Sequence, residues 1–486
     1  MKNPLHRFLT KTMALSFVLL FTIHFSFAQD KAKQIDELLS KYNQYDQFNG
    51  SVLVAQNGKV ILKKGYGSAN MEWNIPNQPD TKFRLGSITK QFTALLIVKL
   101  AEEGKIKLDA PITTYLPDYP KETGDKITIH NLLTHTSGIP NYTSVPNFLS
   151  EKARNPYSPA DFVKTFSNLP LDFKPGEKFV YSNSGYFLLG YIIEKITGKT
   201  YEQYLQETIF TPLKMVNSGY DHSDVIIKNR AAGYEKQGKN IVNASYLDMS
   251  IPYAAGSLYS TAEDLYLWDQ ALYTNKLLSE KAMESLFKSY IAIGDESYGY
   301  GWFLGEISVG TKKVKIVEHG GGINGFNTNI SRVPSDKILI VLLNNTGRTV
   351  LSEMTEAIRN ILYNQPFDQP KKSMALELLD VFTEKGLKSG TETYAKLKKD
   401  PTYGIKEGDM NNAAYQLLQK GKKKEAIEMF KINVEAFPKS GNVYDSLAEA
   451  YLADGDKNLA ITNYKKSIEL DPSNENGKKV LAEISK

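Results

Sequence analysis

The chain of 486 residues contains no cysteine. That excludes disulfides and a lipid-bearing cysteine behind a leader, and it removes thiolate from any candidate metal site. Histidine is scarce as well, with six in all. None falls in a His-Glu-x-x-His pattern, and His130 and His135 do not share a helix face, so no metal and no cofactor is expected. His135 reads as a histidine hydrogen-bonded to backbone in the turn that ends at Gly138 and Pro140. No cluster of Lys and Arg alternates with aromatics, and the formal net charge is only +5, so no nucleic-acid partner is expected. After residue 28 no stretch is apolar for long enough to span a bilayer, so no membrane association is expected once a leader is removed.

What is present is globular in composition: 41% hydrophobic and 23% charged residues, with enough length for two or three domains. The 29 tyrosines and 22 phenylalanines point to large cores or stacked pockets. Residues Met1 to Ala28 have the form of a secretory signal. Lys2, Arg7 and Lys11 precede the apolar run Met13 to Phe21, and Ser26-Phe27-Ala28 is a small-x-small cleavage site. The expected product is a soluble exported protein, most simply periplasmic.

The stretch that organises the chain is Phe83-Arg84-Leu85-Gly86-Ser87-Ile88-Thr89-Lys90. Its three-residue spacing puts the Ser87 hydroxyl and the Lys90 amine one helical turn apart on one face. Phe92, Leu95, Leu96, Val98 and Leu100, ended by Gly104, predict a buried helix over about 91–103. A serine at the N-terminus of such a helix sits in a potential that favours an alkoxide, and a lysine one turn on can take its proton if burial lowers the amine pKa. Taken alone, the pair reads more readily as an N-cap and a solvated charge. Two further segments carry complementary chemistry. Tyr181 and Asn183 alternate in an extended stretch before an apolar helical run from Tyr186 to Ile196, so they project the same way. His319-Gly320-Gly321-Gly322 follows a predicted strand over Lys313 to Glu318, where glycines permit close backbone approach to a ligand and His319 would stand at the entrance.

In this order, Ser-x-x-Lys, Tyr-x-Asn and His-x-Gly resemble the serine beta-lactamase and penicillin-binding fold family. The closer likeness is to its class C beta-lactamase, D-alanyl-D-alanine carboxypeptidase and esterase branch. Flanking text agrees: Leu-Leu-Thr-His-Thr-Ser-Gly-Ile-Pro (132–140), Pro-Gly-Glu-Lys-Phe-Val-Tyr-Ser-Asn (175–183) and Gly-Ser-Leu-Tyr-Ser-Thr-Ala-Glu-Asp-Leu (256–265). The resemblance spans about 34–364. It implies an α/β fold of the α+β type: an antiparallel sheet flanked by helices, with a helical subdomain and the site between them. It also implies that Ser87 is acylated, that Lys90 and Tyr181 transfer its proton, and that Asn183, His319 and Gly321 bind substrate. The backbone N–H groups of Ser87 and Gly322 would form the oxyanion hole. Either a Tyr181 phenolate beside cationic Lys90 or a neutral Lys90 can serve as base on this reading. One departure stands out. His319 occupies the place where efficient class C beta-lactamases have lysine, which moves the expected substrate from beta-lactams towards D-amino-acid peptides or short esters. An imidazole at the cleft mouth would gain charge near pH 6 and then favour carboxylate substrates.

The sheet is foreshadowed early. Gly50 to Ala55 and Lys59 to Lys63 are β-rich runs around Gln56-Asn57-Gly58, a hairpin signal, and 30–45 reads as an amphipathic helix carrying Ile35, Leu38 and Leu39. At the other end, Pro366 to Lys372 reads as part of a linker over 365–372. Beyond it Ala426 and Ala460, Phe430 and Tyr464, and Pro438 and Pro472 recur at the 34-residue tetratricopeptide period. Repeats are expected over 407–486, preceded by a degenerate helical pair at 373–406, and with them a possible protein partner. A different class of function would be a binding scaffold that displays a retired hydrolase domain.

Overall fold

The computed structural model describes residues 29–145, 148, 152–347 and 349–485; the expected signal segment lies outside them. Two compact units result. One holds the residues up to Lys236 together with Ile241–Asp368, and the other holds Gln237–Asn240 and Gln369 onward.

The first unit is built on an eight-stranded antiparallel sheet. Its strands, in chain order, are β1 (Gly50–Gln56), β2 (Lys59–Tyr66), β3 (Ile291–Ile293), β4 (Glu296–Tyr298), β5 (Phe303–Val309), β6 (Lys312–Ile323), β7 (Phe326–Val333) and β8 (Ile338–Asn344). They lie in the order β3-β4-β5-β6-β7-β8-β1-β2. The expected hairpin forms. Asn57 and Gly58 both take positive φ, 54° and 70°, which suits a two-residue turn matched to the twist of the strands.

Alternation along the strands separates two cores. On one face Val52, Val54, Ile338, Ile340 and Leu342 pack with Ile35, Leu38 and Leu39 of a helix over 29–44 (α1). On the other face Leu53, Leu339, Val341 and Leu343 join a larger core. Its centre is α2 (Thr89–Glu102), whose Phe92, Leu95, Leu96, Ile97 and Leu100 are all buried. Apolar residues all round the helix predict that burial. α3 (Asn183–Thr197) lies in the same core and ends at Gly198, in the left-handed conformation at φ 68°. The Ser182 side chain accepts a hydrogen bond from the Gly185 N–H as N-cap, which leaves the Asn183 side chain free for other work.

The second unit is helical. Met374–Leu397 is broken at Gly386, where φ is 76°. Glu407–Gln419 pairs with Lys423–Ala436, and Gly441–Asp454 with Lys457–Leu470, before the last helix Glu475–Ile484. Ala426, Phe430, Ala460 and Tyr464 are buried between these helices.

Candidate active site

Ser87 does not cap a helix. It sits in a single 3-10 turn, Gly86–Ile88, directly before α2, and no side chain caps either element. Its hydroxyl instead meets Lys90, whose Nζ lies 3.0 Å from Ser87 Oγ, 2.8 Å from Asn183 Oδ1 and 2.9 Å from the Ala255 carbonyl. Lys90 is completely buried while Ser87 is partly exposed. The nucleophile therefore reaches solvent and its partner does not.

The first turns of α2 are fastened to one segment. Thr93 donates to the Ala254 carbonyl at 2.7 Å, and Thr89 Oγ1 accepts from the Leu258 N–H at 3.2 Å. Tyr253, at φ 42°, holds the short turn Tyr253–Ala255 in an uncommon conformation. That turn aims two carbonyls at α2. On the other side, Arg84 and Arg230 both bind the buried Asp221 and anchor the strand leading into Ser87.

Burial drives the Lys90 pKa well below its ordinary value, and desolvation is the cause. The hydrogen bonds are compatible with a neutral amine. Asn183 Oδ1 and the Ala255 oxygen can only accept, so they take two N–H bonds. A neutral amine then has its lone pair left for the Ser87 O–H. An ammonium would have to spend its third proton on Ser87, in a dry pocket.

Tyr181 stands over the same amine, with Lys90 Nζ 4.8 Å from its ring centre. Tyr181 is partly exposed, but its hydroxyl is covered, and the Ser87 hydroxyl is the partner within its reach. Burial raises the phenol pKa well above the usual value, and the Ser87 hydroxyl pulls more weakly the other way.

The third expected segment arrives as the end of β6. Gly321 has no room for a side chain, because a Cβ there would lie 1.9 Å from the Leu85 carbonyl oxygen. Thr328 of β7 donates to that same oxygen at 2.7 Å. Gly86, at φ 56°, meets Gly322, whose N would be 2.9 Å from an added Cβ. The strand end thus lies against the nucleophile turn, backbone to backbone. The glycines serve this approach first, and Gly321 in particular faces Leu85.

His319 departs from expectation. It is 2% exposed, not at a cleft mouth. Both ring nitrogens are engaged, Nδ1 with the Gly320 carbonyl at 2.6 Å and Nε2 with the Tyr298 hydroxyl at 3.2 Å. Burial first, and then Lys90, pushes its pKa down to about 3. Burial of the ring works against the expected gain of charge near pH 6. The reason is that an unperturbed value belongs to a solvated imidazole and this one is dry.

His135 was expected only to bond backbone, and it does accept from the Ser182 N–H at 3.1 Å. It also stacks on Tyr181, ring centres 4.3 Å apart, and its Nε2 lies 3.3 Å from the Tyr298 hydroxyl. Sequence reading missed Ala255, Tyr298 and Thr328. A backbone carbonyl leaves no residue-type signal. Tyr298 had one in Tyr298-Gly299-Tyr300-Gly301-Trp302, where glycines alternate with aromatics. A Cβ at Gly301 would fall 2.8 Å from the Lys90 carbonyl.

The beta-lactamase family model matches residues 35–363. A penicillin-binding protein of Bacillus subtilis (strain 168) is 33% identical over 369 residues, covering 71% of this chain and 79% of that protein. Among solved structures, a penicillin-binding protein from Bacillus halodurans superposes with a TM-score of 0.61 at 28% identity, over 67% of this chain and 99% of its own. A D-amino acid amidase from Ochrobactrum anthropi SV3, solved with L-phenylalanine amide, superposes with a TM-score of 0.60 at 25% identity, over 69% and 99%. The chain belongs to the beta-lactamase family of serine hydrolases.

Proposed function

We propose that this protein is an exported serine hydrolase that works through an acyl-enzyme on D-amino-acid peptides or amides and on short esters, in preference to beta-lactams. The observation that carries the reading is the Lys90 amine, buried and held by Ser87, Asn183 and Ala255. Lys90 takes the Ser87 proton as Oγ attacks the acyl carbonyl. Tyr181, kept protonated by burial, lies over Lys90 and passes a proton on to the leaving group. The Asn183 side-chain amide binds the substrate amide. The amides of Ser87 and Gly322 receive the developing oxyanion, an interaction whose loss costs about 10²–10³ in rate per donor. A neutral His319 supplies no cation for a substrate carboxylate, which supports uncharged acyl groups, and the similarity to a D-amino acid amidase supports the same class. Export rests on the form of residues 1–28. The helices after residue 406 are proposed as tetratricopeptide repeats that receive a protein or peptide partner.

Intact-mass analysis of the mature protein after exposure to a fluorophosphonate and to a penicillin tests the reaction. A fluorophosphonate adduct on Ser87, absent in Ser87→Ala, is expected. No adduct with either probe would reject the acyl-enzyme.

A further inference from the structure

His135, Tyr298 and His319 come from three separate parts of the chain and meet below the site. Backbone groups fix the protons at both ends of this cluster. The Ser182 N–H is an obligatory donor, so His135 Nδ1 must be unprotonated and its proton lies on Nε2. The Gly320 carbonyl is an obligatory acceptor, so His319 carries its proton on Nδ1 and leaves Nε2 bare. Between them stands one hydroxyl, 3.3 Å from the first Nε2 and 3.2 Å from the second. With both imidazoles neutral, one arrangement satisfies all four contacts. His135 Nε2–H donates to Tyr298, and Tyr298 O–H donates to His319 Nε2.

We propose that Tyr298 is a positioning residue, which takes a hydrogen bond from His135 and gives one to His319, and so holds the His319 imidazole in a single neutral tautomer. The consequence runs through the backbone. His319 Nδ1–H is bonded to the carbonyl of Gly320, one residue before Gly321 abuts Leu85 and two before the Gly322 amide faces the Ser87 turn. A fixed ring fixes that peptide, and with it the donor proposed for the oxyanion.

The surroundings leave the chain little alternative. Tyr298 is completely buried, with the Tyr181 phenol and the two imidazoles around it and the Tyr186 oxygen as a second acceptor within its reach. Tyr186 spends its own O–H on the Leu133 carbonyl at 2.9 Å. Phe179 and Phe303 close the other sides, with ring centres 5.6 and 4.8 Å from Tyr298. Lys90 acts on both imidazoles, and His319 on His135, only in so far as each is charged, and no carboxylate among the described residues acts on either ring to stabilise an imidazolium. A cation at Lys90 would only push both further towards neutrality. His135 keeps its place at φ 57°, a left-handed conformation that costs a non-glycine residue free energy and persists where the surroundings over-determine it.

The kinetic consequence rests on the proposed acyl-enzyme reaction, but the hydrogen-bond chain itself is testable without turnover. In protein labelled with ¹⁵N at the imidazoles, two-bond ¹H–¹⁵N correlations report tautomer and charge. His135→Gln and His319→Gln assign the two signals among six histidines. Opposite neutral tautomers are expected, Nε2–H at His135 and Nδ1–H at His319, both unchanged between pH 8 and pH 5. The same tautomer at both, or an imidazolium at His319 at pH 6, overturns the proposal whether or not the protein hydrolyses anything. Tyr298→Phe should mix the His319 tautomers. It should lower kcat on a neutral ester about tenfold and leave KM within about twofold, because it disturbs alignment and not ground-state binding. If that variant folds with unchanged tautomers and unchanged kcat, Tyr298 is only a packing residue. If it does not fold, the wild-type spectra alone decide.

Discussion

Two basic side chains of this site, Lys90 and His319, are buried, and burial acts on both in the same direction. Lys90 and His319 are each sealed from solvent, and each has its pKa lowered mainly by desolvation. Their roles nevertheless diverge. Lys90 has two pure acceptors for its protons, so its lone pair is left facing the nucleophile. His319 has both ring nitrogens committed to other protein groups, so nothing remains to offer a substrate. Burial makes a neutral base available, and the hydrogen bonds decide whether it is a reagent or a strut. A pKa alone would not separate the two.

Removing the reagent should have the largest effect. Lys90→Ala should slow acylation by about 10²–10⁴, the range for a positioned general base, and this can be read as the rate of fluorophosphonate labelling. Retention of more than about a tenth of the wild-type rate would place the base elsewhere. Gly321→Ala attacks the other side. Its Cβ would collide with the Leu85 oxygen at 1.9 Å, so the end of β6 must move away from the Ser87 turn. We expect a lower melting temperature, from overpacking of about 1–3 kcal/mol, and a loss of about 10²-fold in kcat as an oxyanion donor is displaced. Tyr181→Phe should cost less than Lys90→Ala, about ten- to a hundredfold, because it removes the relay and leaves the base.

His319→Lys sharpens the comparison. A lysine at an open cleft mouth would strengthen binding of substrates with a free carboxylate. In this dry position its ammonium finds only the Gly320 carbonyl and Tyr298, so the variant should be destabilised by roughly 2–4 kcal/mol in chemical denaturation, with no gain on carboxylates. A tenfold gain in kcat/KM for an acid over its matched ester would show that the side chain reaches substrate. The smallest effect belongs to the unaltered protein. With a His319 pKa of about 3, the imidazole is neutral at pH 6 and at pH 8, so the ratio of kcat/KM for a matched acid and ester should differ by less than about twofold between the two. A rise at pH 6 would mean a solvated imidazole.

The sequence showed the reagent half of the site more clearly than the strut half, and the reason is distance along the chain. Ser87 with Lys90, and Tyr181 with Asn183, are local pairs whose spacing and secondary structure decide which way they point. The hairpin at Asn57-Gly58 and the buried helix after Ser87 were legible on the same ground. His319 could be located but not characterised. Its burial depends on Tyr298 and Phe303, and on the distant His135 that shares the Tyr298 hydroxyl, contacts that no periodicity announces. The Ala255 carbonyl that completes the Lys90 site comes from 165 residues away, and any residue type could have supplied it.

The claim at the centre is that Lys90, neutral in the free enzyme, is the base. The most direct measurement is kcat/KM for a neutral ester against pH, in the wild type and in Tyr181→Phe, since that profile reports the groups of the free enzyme. A lysine pKa depressed by burial keeps the amine unprotonated further down in pH than a free amine, and activity is lost only as pH falls through that lowered value. An acid limb well below the ordinary lysine value of 10.5 is expected in both proteins. A rate that instead climbs with pH towards 10 in the wild type, with the climb abolished in Tyr181→Phe, would make a tyrosinate the base and contradict the claim.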